Sequence, residues 1–249
     1  MGLGALLVLG LFAGCLGPTE IPDDQLAGDA SYDWDRGGDA SYALARSSYT
    51  AVFNATNRST LSVFDRDALG VEAPVDLSAL RYRFANGTVV APNGTANLSA
   101  TLEQRRTVIT LPARTGQVAY TASRSGKQFT TPVVVAGRQT ITLPPGARVG
   151  VPLLSQVSPG DHSTAVADNR MTITWTQVDD GALTVHYYLQ RDLFLFTALV
   201  LVVTAVGVGG LVYYFRQLRQ LESAREEIGL DVETEDDDIG DDGPPPGMR

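Results

Sequence analysis

Apolar and polar side chains alternate through Met171-Thr172-Ile173-Thr174-Trp175-Thr176-Gln177-Val178, and a second β-rich run, Ala182-Leu183-Thr184-Val185-His186-Tyr187-Tyr188, follows Asp179-Asp180-Gly181. Successive strand side chains point to opposite faces, so a period of two marks a strand with one buried face. A short Asp-Gly turn between two such runs predicts a hairpin, because glycine supplies the positive φ that tight turns require. A second hairpin is expected around Asn86-Gly87, joining residues 80–84 to 88–90. Further strands are expected at 42–53, 107–111, 117–123, 129–135 and 139–143. Turn signals this frequent suit a sandwich rather than alternating βα units. The expected class is mainly β, with a β-sandwich-like domain over residues 41–190, as one unit or as two small ones in series. Residues 144–169, with Pro144, Pro145, Pro152 and Pro159, are long for a loop. They are either functional or hide a strand near 149–157.

The alternation stops at residue 193. Residues 193–215 form a run of 23 with no charged side chain. At about 1.5 Å per residue it reaches roughly 34 Å, enough for a hydrocarbon core of about 30 Å. Tyr187, Tyr188, Phe194 and Phe196 flank one end, and Tyr213, Tyr214 and Phe215 the other, as expected of interfacial aromatics. Arg216 and Arg219 follow directly, whereas the opposite flank is the self-compensating pair Arg191-Asp192. The positive-inside rule then places the C-terminus in the cytoplasm and the β domain outside. Residues 216–230 are expected to continue as a juxtamembrane helix. Ala205 and Gly209, four apart, would let a second copy of the helix approach closely.

Residues 1–17 are also apolar and uncharged, but short for a span. Ala13-Gly14-Cys15 resembles the lipobox of secreted lipoproteins, which implies cleavage after residue 14 and lipidation of Cys15. The other reading is a short uncleaved anchor. A cleaved or lipidated N-terminus places the β domain outside, on the same side as the positive-inside rule does.

Charge subdivides the chain further. Of 28 acidic and 19 basic residues in 249, the segment from residue 220 onward carries 11 acids and 2 bases, which equals the whole net charge of −9. The Asp-rich tail 231–249, ending near Pro244-Pro245-Pro246, has the composition of a disordered segment. Residues 16–40 hold seven acids and one base and read as a flexible acidic linker. Lys127 is the one lysine. That bias resembles proteins of halophilic organisms, although codon composition explains it equally well. The acidic balance argues against nucleic acid as a partner. One cysteine and two histidines argue against a multi-cysteine metal site or zinc chemistry.

Little else points to chemistry, and neither a cofactor nor a catalytic residue is expected. Asp161-His162-Ser163 contains the residue types of a hydrolase triad, but chain neighbours cannot orient one another as base and nucleophile. His186 falls on the strand face opposite Leu183 and Val185. The run Asp33 to Asp39 lacks the third oxygen ligand of a calcium loop, and Leu44 stands where glutamate is needed. Five sequons, at Asn54, Asn57, Asn86, Asn93 and Asn97, are candidate glycosylation sites on the side expected to be external.

The Ala13-Gly14-Cys15 start, the Asp-Gly turn, the run Tyr187 to Leu193 and the exit Tyr213-Tyr214-Phe215-Arg216-Gln217-Leu218-Arg219 together resemble a haloarchaeal family of single-pass membrane lipoproteins of unknown function. The resemblance is most specific over residues 170–231 and implies location and topology only. The expected function is therefore a non-enzymatic envelope lipoprotein, partnered by membrane lipid and by a surface protein or glycan. The alternative is a signalling or assembly subunit acting through helix pairing, a homodimer, and its acidic tail.

Overall fold

The computed structural model of the protein describes residues 17–66, 70–93 and 96–229, with side chains through residue 221. Contacts divide the chain into two units, Met1–Leu193 and Phe194–Arg249. The first unit begins with β1 (Thr19–Glu20), the one-turn helix α1 (Asp23–Leu26), β2 (Ala40–Leu44), β3 (Ser48–Ala55), β4 (Thr60–Arg66) and β5 (Glu72–Pro74). It continues through β6 (Leu77–Phe84), β7 (Val89–Val90), β8 (Ser99–Leu102), β9 (Thr107–Thr110), β10 (Gly116–Ser123) and β11 (Gln128–Pro132). The last strands are β12 (Gly137–Thr142), β13 (Ala147–Arg148), β14 (Gln156–Ser158), β15 (Ser163–Ala167), β16 (Arg170–Val178), β17 (Ala182–His186) and β18 (Tyr188–Leu189). Helix α2 (Gln190–Gly229) ends the described chain.

An eight-stranded sheet, ordered β15-β16-β12-β2-β3-β10-β6-β7, is the largest layer. A five-stranded sheet (β1-β8-β9-β4-β5), a three-stranded sheet (β11-β17-β14) and the pair β13-β18 complete a mainly β architecture. All share one core, to which Tyr42 and Phe53 of the large sheet, Leu61 and Ile109 of the second, and Phe129 and Leu183 of the third contribute. Period-two burial explains why these segments are strands. In β17, Leu183 and Val185 are buried while Ala182 and Thr184 are half-buried and His186 is exposed.

The Asn86-Gly87 hairpin forms as expected: Phe84 N–H donates to the Thr88 carbonyl at 2.9 Å, and Gly87 adopts φ +87°. The Asp180-Gly181 turn also forms, with φ +89° at Gly181, but the strands it joins do not pair. β16 is bonded on both sides by β12 and β15, and β17 by β11 and β14. The Gly181 carbonyl itself accepts the Val133 N–H, at 3.0 Å, so the turn is an arch carrying the chain from one sheet to another. The expected strand at 42–53 is two strands, β2 and β3, because Ala45 N–H turns back onto the Ser48 carbonyl at 2.8 Å. Residues 144–169 hold three short strands, β13, β14 and β15, the last closed onto β16 by a two-residue turn with positive φ at both Asp168 and Asn169.

The expected acidic linker at 16–40 is largely built into the fold. β1 pairs with β8, Ile21 is 2% exposed and Leu26 fully buried. The Arg81 guanidinium reaches the carbonyls of Leu26, Ala27 and Gly28, capping the C-terminal end of α1. Tyr32 donates its hydroxyl proton to the Ala79 carbonyl, and Asp39 accepts the Arg138 backbone N–H at 2.9 Å. Carboxylates dominate the composition of this segment, but two apolar residues and backbone pairing decide its structure.

In α2, the most apolar 18-residue stretch of Gln190–Leu221 has a mean hydropathy of 2.5, and none of that stretch is buried. It is long and apolar enough to cross a membrane. The helix continues without a break through residues 216–229.

Candidate functional site

Among its described residues, the β unit carries a polar groove of about 840 Å³. One wall is the end of β4, with Phe64, Asp65 and Arg66; the other is the turn from Ser123 to Gln128 with β11, and Thr184 of β17 reaches in beside them. The floor is aromatic and closed. Tyr49 and Phe129 meet edge-on with ring centroids 5.1 Å apart, and Phe129 meets Tyr42 at 5.6 Å.

Two arginines at the groove differ in role. Arg124 donates to the carbonyls of Ala45, Gly126 and Gln128 and to the Tyr187 hydroxyl, and its guanidinium lies over the Tyr187 ring. It ties the β10–β11 turn to the β2–β3 turn and to the start of β18, so its charge is structural. Arg66 is exposed, with its guanidinium 5.9 Å from the Phe64 ring centre. Arg106 approaches the same ring and pairs with Glu72 at 3.2 Å. Asp65, between Phe64 and Arg66 in the chain, has its carboxyl raised above the ordinary carboxylate range by partial burial, opposed by the bond from Arg66 N–H. Thr130 and Thr184 place their hydroxyls 3.3 Å apart across the β11–β17 ladder. Hydroxyls and the Gln128 amide, able to donate and accept at once, suit a hydroxyl-rich or peptide-like ligand. No motif in the sequence announces this site. It assembles from strand ends far apart in the chain.

The residues singled out from sequence are dispersed. His162 turns toward Trp175, ring centroids 5.9 Å apart, while the Ser163 hydroxyl bonds the Thr174 carbonyl at 3.4 Å on the other face of β15. Alternation along the strand thus separates the two side chains. Asp33 pairs with Arg36 and Asp35 with Arg83, each at 3.1 Å. His186 is exposed in β17. The Asn54 amide is engaged at both ends, donating to the Gly38 carbonyl and accepting from Gln117, whereas Asn57, Asn86, Asn93 and Asn97 are exposed. Ala205, Gly209, Arg216 and Arg219 lie on the exposed surface of α2. Cys15 and the tail 231–249 lie outside the described residues.

The chain belongs to a family of unknown function, DUF5803, which it matches over residues 36–233. No curated protein matches it. Among solved structures, an M1 zinc metallopeptidase E323A mutant from Deinococcus radiodurans, bound to a Tyr-Ser-Ala substrate, is similar at 12% identity. The alignment covers 61% of this chain and 43% of that one with a TM-score of 0.34, too low to assign a shared fold.

Proposed function

We propose that this chain is a single-pass envelope lipoprotein whose β unit is an external, non-enzymatic binding module and whose acidic C-terminus lies in the cytoplasm. The observation that carries the reading is α2: Phe194 is 78% and Val206 71% exposed, apolar surface that only lipid or another apolar partner would cover. The orientation rests on Arg216 and Arg219 following the apolar run, and on lipidation at Cys15 in a protein of haloarchaeal type. Only Leu16, Gly17 and Pro18 separate Cys15 from β1. A lipid there would hold the β unit close to the bilayer rather than on a long spacer. Asn54, Asn57, Asn86, Asn93 and Asn97 remain candidates for glycans; the last four are exposed, whereas Asn54 is half-buried with its amide bonded to Gly38 and Gln117.

The groove between β4 and β11 is the binding site, and its array of hydroxyls and amide favours a surface glycan. Two measurements test the reading. Protease added to intact cells should digest the β unit and spare the acidic tail; trimming of the tail alone would overturn the topology. Purified full-length protein should retain envelope glycan on an affinity matrix, and Thr184→Val with Gln128→Ala should reduce retention about tenfold, as expected for two lost hydrogen bonds. Undiminished retention would remove the groove from the account.

A further inference from the structure

Strands that end a sheet expose unpaired backbone groups, and folded proteins usually blunt them with proline, charge or shortness. Here β1 and β7 are two residues long, β5 contains Glu72 and Pro74, β11 ends in Pro132, and β14 has three residues with Pro159 close behind. β15 is different. Its five residues, Ser163-Thr164-Ala165-Val166-Ala167, carry no charge and no proline, and all five are exposed.

The ladder fixes which of its backbone groups point outward. Leu143 N–H donates to the Met171 carbonyl, so odd-numbered residues of β16 bond toward β12 and even-numbered ones toward β15. The register Ser163↔Thr174, Ala165↔Thr172 and Ala167↔Arg170 then directs the backbones of Ser163, Ala165 and Ala167 to β16. Those of Thr164 and Val166 face away from it. Thr164 and Val166 also share the side-chain face of Ile173 and Met171, their partners across the ladder. On that face lies a cleft of about 420 Å³ lined by Val149, Pro152, Val157, His162 and Thr164. Val166 stands 54% exposed beside it, and Leu153 is fully exposed on the cleft's loop.

We propose that β15 is a homotypic pairing edge, on which a second copy of this chain adds its own β15 antiparallel about a two-fold axis through Ala165. The strand is self-complementary in that register. Thr164 of each copy meets Val166 of the other, so the four outward N–H and four outward C=O groups face one another and the ladder continues across the axis. Each Val166 lands beside the opposing Thr164, on the side of its cleft, where apolar surface now open to water becomes covered. Neutral side chains along the whole strand leave no like charges opposed. Such strand addition draws affinity from the backbone and specificity from the side-chain cleft. The inference is independent of the groove and its ligand.

The axis makes the test register-specific. Ala165 would face its own copy as a non-hydrogen-bonded pair, Cα to Cα about 4.5 Å, within disulfide range. Two Ser163 residues would lie about 13 Å apart, four strand positions at about 3.3 Å each. Full-length Cys15→Ser protein in membranes, carrying Ala165→Cys, should crosslink on mild oxidation at least about tenfold more than the same protein carrying Ser163→Cys. Mixed Ser163→Cys and Ala167→Cys copies should crosslink to each other. Val166→Pro, which removes an outward N–H and leaves the bonds to β16 in place, and Val166→Lys, which sets two like charges diagonally across the axis, should each cut the Ala165→Cys product about tenfold while leaving tryptophan emission of the fold unchanged. No crosslink at Ala165, or equal yields at residues 163 and 165, would overturn the proposal.

Discussion

The β unit and the C-terminal helix hold comparable apolar side chains and treat them in opposite ways. In the first, Trp175, Tyr42, Phe53, Leu77 and Leu80 are at most 1% exposed, packed into one core that the sheets share. In the second, Phe194, Phe196, Val206 and Tyr213 are each more than 60% exposed. The driving force is the same, about 25 cal/mol per Å² of apolar surface removed from water. The β unit satisfies it through its own topology, whereas the helix, apolar all round, satisfies it only through its surroundings. The sharpest way to probe this difference is to damage each region and ask whether the other notices.

Trp175→Ala should have the largest effect. It empties a fully buried site and orphans the Pro159 carbonyl that accepts the indole N–H at 2.9 Å. A loss of about 3–5 kcal/mol is expected, read as a lower denaturant midpoint for the detergent-solubilised full chain. Retention in carbonate-washed membranes should not change. Next comes Val206→Arg, near the middle of the apolar stretch. An arginine at the centre of a span costs about 2.5–3.5 kcal/mol on insertion scales. The expected outcome is protein released by carbonate, with the midpoint of the β unit unmoved; a moved midpoint would break the comparison by showing the two regions coupled.

Alkaline pH should act on the β unit through its buried phenols. Burial pushes the Tyr42 phenol up to about 12 and raises those of Tyr49 and Tyr120 beside it. Below pH 10 these phenols are protonated in folded and unfolded chains alike. Between about 10 and 12 the unfolded chain releases protons that the folded core still holds, so stability falls as pH rises through that window. Tyr42 alone corresponds to about 2–3 kcal/mol at the upper end, from about 1.4 kcal/mol per pKa unit. Unfolding curves at pH 9 and 11.5 would show it. Equal midpoints would mean that water reaches this aromatic cluster.

The same contrast explains what could be read from the chain before its structure. The helix was legible because its signal is continuous and requires no partner. Individual strands were legible wherever burial alternated, as in β16 and β17. Partner choice was not: Asn86-Gly87 and Asp180-Gly181 carry the same turn chemistry, yet one makes a hairpin and the other an arch, because β16 and β17 are each bonded on both sides by other strands. The β15–β16 hairpin did carry a local signal, Asp168-Asn169, two residues that tolerate positive φ, but a proline-rich surrounding masked it. The segment 16–40 misled because net charge outweighs Ile21 and Leu26 in any composition count, although those two side chains anchor it. The groove had no signature at all, since its residues are neighbours only through the sheets.

The smallest predicted effect compares glycines, and its value lies in the sign. Gly87 and Gly181 adopt φ +87° and +89°, and a Cβ added at either would meet nothing within 4 Å. Space is therefore not at issue, and Gly→Ala at each should destabilise the β unit by about 1 kcal/mol from backbone conformation alone. The two costs should be equal even though one turn closes a hairpin and the other links two sheets, because the penalty is local to the φ. Gly207 lies in the apolar helix with equally open space around it. There Gly→Ala favours the helical state by about 1 kcal/mol, since alanine loses less backbone entropy on becoming helical. One substitution should thus lower the denaturant midpoint at residues 87 and 181 and leave it unchanged at 207. A lowered midpoint for Gly207→Ala would show that the helix and the β unit do not answer separately for their apolar surface.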